Sequence, residues 1–122
     1  MTKIDSHRDL IVWQKAMELT VQVYRLSSFF PPTETYRLTA QVTRAAASVP
    51  ANIAEGHSRA TRKDYAQFLS IAKGSLMETE TFLMLAVRLG YVSEQDAKAT
   101  FALLTEVSKM ITVLRARLRE NL

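Results

Sequence analysis

Four segments of this sequence repeat apolar residues at three- and four-residue steps, and three short breaks separate them. That spacing places side chains on one face of an α-helix, and no segment shows the strict alternation of a β-strand. The pattern predicts helices over about residues 10–28, 34–56, 62–89 and 94–119. Because short connections leave no room for a crossover, consecutive helices are expected to be antiparallel neighbours. The sequence therefore predicts an all-α fold, an antiparallel up-down-up-down four-helix bundle that forms one domain over residues 1–122.

The breaks between the segments contain residues that stop or start helices. Two successive prolines in residues 29–33 (FFPPT) lack amide donors, so they end the first helix, and Thr33 is predicted to cap the second. Thr61 and Ser93 each stand three residues before an aspartate. This arrangement resembles a capping box and predicts the starts of the third and fourth helices.

The second predicted helix contains a proline, Pro50, which cannot donate a hydrogen bond to the carbonyl one turn earlier. We expect a kink there rather than a loop. Small residues on this helix and the next predict a close approach of the two backbones, with Gly74 as a contact point. Asn52 and Glu55 lie three residues apart and are expected to satisfy polar groups between the helices, for example Ser75.

The first predicted helix has two adjacent apolar stripes: Leu10, Trp13, Met17, Val21 and Tyr24, and beside them Ala16, Leu19, Val23 and Leu26. Two stripes make an apolar face that is wider than one bundle interior requires and that can touch more than one neighbour. The methionines are expected to fill gaps in the core; they are Met17, Met77, Met84 and Met110.

The formal net charge is +4 and the isoelectric point is about 9.6, which favours polyanionic partners. Cations neutralise phosphates without reading bases, so the candidate nucleic-acid-binding residues are the basic residues of the second and third helices and their connection. They are Arg37, Arg44, Arg59, Arg62, Lys63 and Lys73. The alternative is that these side chains are solvated or paired with carboxylates. Solvation is the preferred interpretation for the terminal arginines Arg115, Arg117 and Arg119.

The sequence carries no motif for catalysis, a cofactor or a metal. It has no cysteine, no Glu-x-x-His pair for a di-iron site in a bundle, and no phosphate-loop or dinucleotide fingerprint. Its two histidines, His7 and His57, lack a serine nucleophile with an acidic partner. We therefore expect no enzymatic activity; a small hydrolase using Glu55 or Glu78 is the weaker hypothesis.

The longest uninterrupted apolar run, residues 82–87 (FLMLAV), is far shorter than the roughly 20 residues of a membrane-spanning helix. The N-terminus has no apolar signal core. We expect a cytoplasmic protein with no membrane partner.

Five motifs resemble those of a bacterial four-helix bundle family, the proteins encoded within intervening sequences of 23S ribosomal RNA genes. They are VWQKAMEL (12–19), VYRL (23–26), PPTETYRL (31–38), QVTRAAASVPANIAEG (41–56) and RKDYAQFLSIAKGSLMETE (62–80). The resemblance covers about residues 8–92. Two positions depart from the family pattern: Arg37 stands where glycine is usual, and Thr43 replaces the first arginine of a usual pair, so only Arg44 carries over.

The resemblance implies a homo-oligomeric ring, a pentamer, of non-enzymatic protomers with a basic surface. It also implies kinship with the accessory variability determinant protein of diversity-generating retroelements, which works with a reverse transcriptase and nucleic acid. Two functions are expected from this. One is a nucleic-acid-binding or chaperoning module that contacts RNA or DNA, and the other is a protein-interaction adaptor, for example an accessory subunit for a reverse transcriptase.

Overall fold

The computed structural model describes residues 6–120, which contain four α-helices, two short 3₁₀ turns and no β-strand. The helices are α1 (Ile11–Ser27), α2 (Leu38–His57), α3 (Arg62–Arg88) and α4 (Glu94–Arg119). Each helix packs against the next in the chain, and α4 also packs against α1, whereas α1 and α3 lie diagonally across the bundle. The predicted all-α four-helix bundle is confirmed.

One stripe from each helix forms the core. The largest fully buried side chains recur at helical spacing and include Leu19, Val23, Val49, Ile53, Leu69, Leu76, Leu83, Leu104, Val107 and Ile111. Burying one such side chain stabilises the fold by about 1.5–3 kcal/mol. On α1 the core stripe is the one that contains Leu19, and the neighbouring stripe that contains Met17 faces outward.

The predicted start of α2 is wrong. Thr33 lies inside a 3₁₀ turn, Pro32–Glu34, and α2 begins only at Leu38. The prolines hold the chain in this turn, where the amide of Glu34 donates to the Pro31 carbonyl at 2.9 Å. Arg37 then breaks the helical path with φ −119° and ψ −106°. Thr33 therefore has no helix to cap.

The other two predicted helix starts are confirmed. The Thr61 hydroxyl accepts a hydrogen bond from the amide of Asp64 at 3.1 Å at the start of α3. The Ser93 hydroxyl accepts one from the amide of Asp96 at 3.0 Å at the start of α4. Each hydroxyl satisfies an amide that has no partner within its helix.

Pro50 is buried inside α2, and the helix continues through it, as predicted. The Thr20 hydroxyl of α1 lies 3.1 Å from the Ala46 carbonyl, which has no amide partner at Pro50, and 2.8 Å from the Ala16 carbonyl of its own helix. The Thr20 hydroxyl shares its one proton between these two carbonyls, so α1 supplies part of the hydrogen bonding that the proline removes. A bend at this point stays a prediction.

α2 and α3 are in tight contact at Gly56 and not at Gly74. A Cβ atom on Gly56 would lie 2.8 Å from the Phe68 Cβ and 3.0 Å from the Tyr65 Cδ1, so only glycine fits there without a shift. A Cβ on Gly74 would meet nothing within 4 Å, and Gly74 is exposed. The prediction that Gly74 is a contact point is wrong, because its side of α3 faces away from α2.

Polar side chains join α2 and α3 above this contact. The Ser48 and Ser75 hydroxyls are 2.9 Å apart, and the Asn52 amide donates to the Ser48 carbonyl and hydroxyl at 2.8 and 2.9 Å. The expected pairing of Asn52 with Ser75 is therefore wrong: Asn52 bonds to Ser48 of its own helix, and Ser48 makes the contact to Ser75 across the helices. The same expectation for Glu55 is wrong, since Glu55 is exposed and pairs with Arg59.

Alanine substitutions at Gly56 and Gly74 test which of the two glycines lies at the contact between α2 and α3. G56A should lower the free energy of unfolding by about 1–3 kcal/mol, because overpacking forces the two helix backbones apart. The matched control G74A should raise it by about 0.5–1 kcal/mol, since alanine is the better residue in an exposed helix interior. Urea denaturation followed by circular dichroism measures both. Equal effects of the two changes would contradict the assignment of the contact to Gly56.

Candidate nucleic-acid interface

The topology brings two separate basic segments of the sequence together. α2 ends, α3 begins and α4 ends at the same end of the bundle, and Arg62 on α3 contacts the backbone of α4 there. We call this region the basic end and define it by six residues: Arg59, Arg62, Lys63, Arg115, Arg117 and Arg119. Three of them are predicted interface residues, and the other three are the terminal arginines, which the sequence alone led us to interpret as solvated. The antiparallel order of the helices, which the sequence predicts, brings the end of α4 beside the start of α3. This order is the sequence signal that could have identified the terminal arginines as part of the site.

Arg62 is held by the end of α4. Its Nε donates to the Leu118 carbonyl at 3.2 Å, and a terminal nitrogen donates to the Arg117 carbonyl. These carbonyls belong to the last turn of α4, where the only backbone donor among residues 6–120 is the Glu120 amide, 3.4 Å from the Arg117 carbonyl. A cation there also interacts favourably with the negative end of the helix dipole. Arg62 thus stabilises the end of α4.

Arg59 is held between an acid and an aromatic ring. Its guanidinium bonds to Glu55 Oε1 at 2.5 Å and lies 4.6 Å from the centroid of the Phe68 ring. Both the ion pair and the cation–π contact fix its position. Glu55 offsets part of its charge.

Lys63 and Arg119 are less constrained. Both are exposed, both line one small groove between α3 and α4, and neither forms an ion pair among residues 6–120. Arg115 approaches the same groove and donates to the Ser70 hydroxyl at 3.3 Å. These side chains supply the cationic groups of the basic end that remain open to a ligand.

The other three predicted interface residues lie elsewhere. Lys73 is ten residues beyond Lys63 on α3, or about 15 Å along the axis, and donates to the Thr112 hydroxyl. Arg44 is exposed in the middle of α2 and lines a small polar groove with Glu78. The six predicted residues therefore do not form one surface.

Arg37 lies at the opposite end of the bundle, where α2 begins. It is near a hydrogen bond of 2.9 Å from the Tyr91 hydroxyl to Glu34 Oε2. This hydrogen bond raises the pKa of Tyr91, and the charge of Arg37 acts in the opposite direction. Arg37 belongs to this polar contact rather than to the basic end.

The two ends of the bundle differ in charge. At the basic end the acids of the described chain are Asp9, Glu55, Asp64 and Glu120, which the basic-end residues and Arg8 outnumber. At the opposite end the cations Arg25, Arg37, Arg88 and Lys98 lie among Glu34, Glu94 and Asp96. The excess of positive charge is therefore larger at the basic end, and a polyanion is attracted there first.

Three further findings on the described residues concern metal binding, one buried tyrosine and membrane insertion. Within residues 6–120, no group of three or more histidine or acidic side chains is arranged to hold a metal ion. The Tyr65 hydroxyl is buried without a hydrogen-bond partner in this part of the chain, and burial raises the pKa of its phenol. None of the helices in residues 6–120 has the length and apolar character needed to cross a membrane.

Alanine substitution distinguishes the cations that hold the fold from those that are free. R62A should lower the free energy of unfolding by about 1 kcal/mol, because the carbonyls of Arg117 and Leu118 lose the Arg62 guanidinium as a donor and the end of α4 loses a favourable cation. The neighbouring substitution K63A should change it by less than about 0.5 kcal/mol, since Lys63 is exposed and forms no ion pair within residues 6–120. Urea denaturation of both variants measures the difference. A decrease for K63A as large as that for R62A would contradict the distinction.

Comparisons with known proteins agree with this fold. The model of the 23S rRNA-intervening sequence protein family matches residues 8–113. A crystal structure at 1.70 Å resolution of a protein of unknown function from the S23 ribosomal protein family of Bacteroides thetaiotaomicron is similar over 86% of this chain and 98% of its own, with 26% identity and a TM-score of 0.80. A search of curated proteins finds no significant match. The chain therefore belongs to the 23S rRNA-intervening sequence protein family.

Proposed function

We propose that this protein is a non-catalytic nucleic-acid-binding or chaperoning module that contacts RNA or DNA phosphates without sequence specificity. The observation that carries the proposal is the basic end, where α3 and α4 place Lys63, Arg115 and Arg119 around one groove. Cations in such a position bind the phosphate backbone, whose sequence-independent attraction depends strongly on salt. The family description refers to 23S rRNA, which makes structured RNA the first ligand to test.

The geometry of the basic end favours contact with phosphate over the reading of bases. The guanidinium groups of Arg59 and Arg62 already bond to groups of the protein. They contribute charge rather than free donors for base edges. Base recognition requires donors aimed into a groove of the nucleic acid, usually from one element that enters it. Lys63 and Arg119 instead come from two helix ends.

We propose further that the protein works as a homo-oligomeric ring, a pentamer. The α1 stripe that faces outward leaves Met17 42% exposed, Val21 39% and Tyr24 53%. A shallow apolar groove of about 430 Å³ runs between this stripe and small residues of α2. Exposed apolar surface of this kind is typical of an interface.

A second apolar face supports head-to-tail assembly. The outer side of α3 exposes large apolar residues, namely Ile71, Met77, Met84, Leu85 and Leu89. Because α1 and α3 lie diagonally across the bundle, this face and the α1 groove are on different sides. Contact between two different surfaces of identical chains closes a ring when the rotation permits it. A ring would repeat the basic end in each protomer and strengthen its field.

The second candidate function is a protein-interaction adaptor, for example an accessory subunit for a reverse transcriptase. The same exposed apolar residues of α1 and α3 favour it, since a different protein can cover them. Affinity capture with and without nuclease separates the two functions. A partner that stays bound after nuclease treatment supports the adaptor, whereas a partner released together with the nucleic acid supports the nucleic-acid-binding module.

Charge reversal at the two ends of the bundle tests nucleic-acid binding. The variant R59E/K63E/R119E removes cations from the basic end and leaves the structural Arg62 in place. It should weaken binding of structured RNA and single-stranded DNA by at least about tenfold at low salt. It should also reduce the slope of log K against log salt by about 1 for each phosphate that the variant no longer neutralises. Fluorescence anisotropy at several salt concentrations measures both.

The matched control is R25E/R88E/K98E at the opposite end. Each variant reverses three charges, so the two have the same net charge and differ only in where it changes. The control should keep most of the affinity. Equal decreases in the two variants would show that only total charge matters, and no binding by the native protein at low salt would refute the function.

Native mass spectrometry tests the ring. We expect a homopentamer for the native chain and dissociation in M17E/V21E, because two carboxylates on the α1 stripe would be buried at the interface. The control I11E/V113E changes two exposed apolar residues that face another groove, between α1 and α4, and should stay assembled. Circular dichroism should show both variants helical. A monomeric native chain, or equal dissociation of the two variants, would contradict the proposed interface.

A further inference from the structure

The groove between Lys63 and Arg119 is a half-open surface cavity of about 170 Å³ between α3 and α4. Its walls are Lys63, Ala66, Gln67, Ser70 and Arg119. Sites for drug-sized molecules enclose roughly 300–1,000 Å³, so this cavity suits a small group better than a whole nucleotide. Among the residues that line it there is no carboxylate.

The donors of this cavity come from two helices, α3 and α4. Lys63 provides an ammonium group from the first turn of α3, Gln67 a carboxamide one turn later, and Arg119 a guanidinium from the last turn of α4. A guanidinium matches the geometry of a phosphate with two parallel N–H donors, and an ammonium adds a point charge. The combination selects an oxyanion over a neutral ligand.

A third cation is fixed at the wall of the cavity. Arg115 donates to the Ser70 hydroxyl at 3.3 Å, and that hydroxyl lies 3.2 Å from the Ala66 carbonyl, to which it donates. The Ser70 hydroxyl therefore donates its proton to the backbone and accepts a hydrogen bond from Arg115. Its role is to hold the half-buried Arg115 beside the cavity, where water screens the charge less than at the surface.

The helix ends around the cavity are also arranged for an anion. The amino end of α3, which begins at Arg62, carries the positive end of its dipole. The carboxyl end of α4 would repel an anion, but Arg62 bonds to the carbonyls of Arg117 and Leu118. The unfavourable dipole of α4 is thus covered by a cation.

We propose that this cavity binds a single phosphate group. The proposal rests on the function proposed above and deepens it, because it assigns the point at which one phosphate of a nucleic acid is held in place. Lys63 and Arg119 bind the oxygens, Gln67 donates to them, and Arg115 adds charge from the wall. The phosphate comes either from the end of a strand or from within its backbone.

The acetylation rate of Lys63 reports occupancy of the cavity and is measured by mass spectrometry on the full chain. Lys98, exposed at the opposite end, is the internal reference. Inorganic phosphate at twice its dissociation constant should slow acetylation of Lys63 about threefold by simple occupancy, with no change at Lys98. Equal slowing at both lysines, or none at Lys63, would overturn the site.

Two oligonucleotides of one sequence distinguish the sources of the phosphate. One carries a 5′-phosphate and the other a 5′-hydroxyl. Protection of Lys63 by the first alone assigns the cavity to a terminal phosphate, and protection by both assigns it to the backbone. Protection by neither oligonucleotide would overturn the proposal that the site serves nucleic acid.

A charge-neutral variant separates this site from the general attraction of the basic end. Q67L removes the carboxamide and fills the cavity without altering the net charge, so phosphate should no longer protect Lys63. Q95L, a matched change of an exposed glutamine on α4, should behave like the native protein. Lys63 protection retained in Q67L refutes the cavity, while salt-dependent oligonucleotide binding would still support the proposed function. Protection of Lys63 by phosphate without any oligonucleotide binding would support the phosphate site and refute the proposed function.

Discussion

The contact between α2 and α3 at Gly56 determines the arrangement on which the rest of the molecule depends. The missing side chain lets α2 end directly against Tyr65 and Phe68, so only residues 58–61 are needed to reach the start of α3. A larger residue would separate the helices where the chain reverses direction. The positions of Arg59 over Phe68 and of Arg62 on α4 both follow from this short connection. The basic end thus depends on a glycine that carries no charge and binds nothing.

The cations of the basic end fall into those that bond to the protein and those that do not. Arg62 satisfies carbonyls at the end of α4, and Arg115 is tied to Ser70, while Lys63 and Arg119 remain exposed. A fold that uses some of its cations internally positions the remaining ones without needing carboxylates beside them. This explains how a chain with a modest net charge of +4 concentrates positive potential at one place.

Much of the fold could be predicted from the sequence because it follows from local signals. The apolar spacing located the helices, and the hydroxyl–aspartate pairs at Thr61 and Ser93 marked two of their starts. The predictions for Thr33 and Gly74 were wrong because in each case one local sequence pattern is compatible with two different structures. Two prolines before Thr33 permit either a helix or a 3₁₀ turn, and an exposed glycine such as Gly74 has the same sequence appearance as a buried contact.

The candidate site was harder to predict because it depends on contacts between distant segments. The basic residues were visible in the sequence, but nothing local indicated that Arg115 would reach Ser70 or that Arg62 would bond to the end of α4. The outward stripe on α1 shows the same difficulty. Periodicity identified two apolar stripes, and only the packing of the neighbours shows that the one containing Met17 is left uncovered.

The hydrogen bond from Thr20 to the Ala46 carbonyl has a consequence for folding fidelity. A slip of α1 along α2 by one helical turn would displace the facing groups of the two helices by about 5.4 Å. Pro50 leaves one carbonyl in this helix without its amide, and the Thr20 hydroxyl can reach it in only one alignment. A slipped bundle would bury that carbonyl without a donor, at a cost of about 1–3 kcal/mol. The proline therefore favours one register of α1 against α2, because a slipped alignment loses the contact between Thr20 and the Ala46 carbonyl.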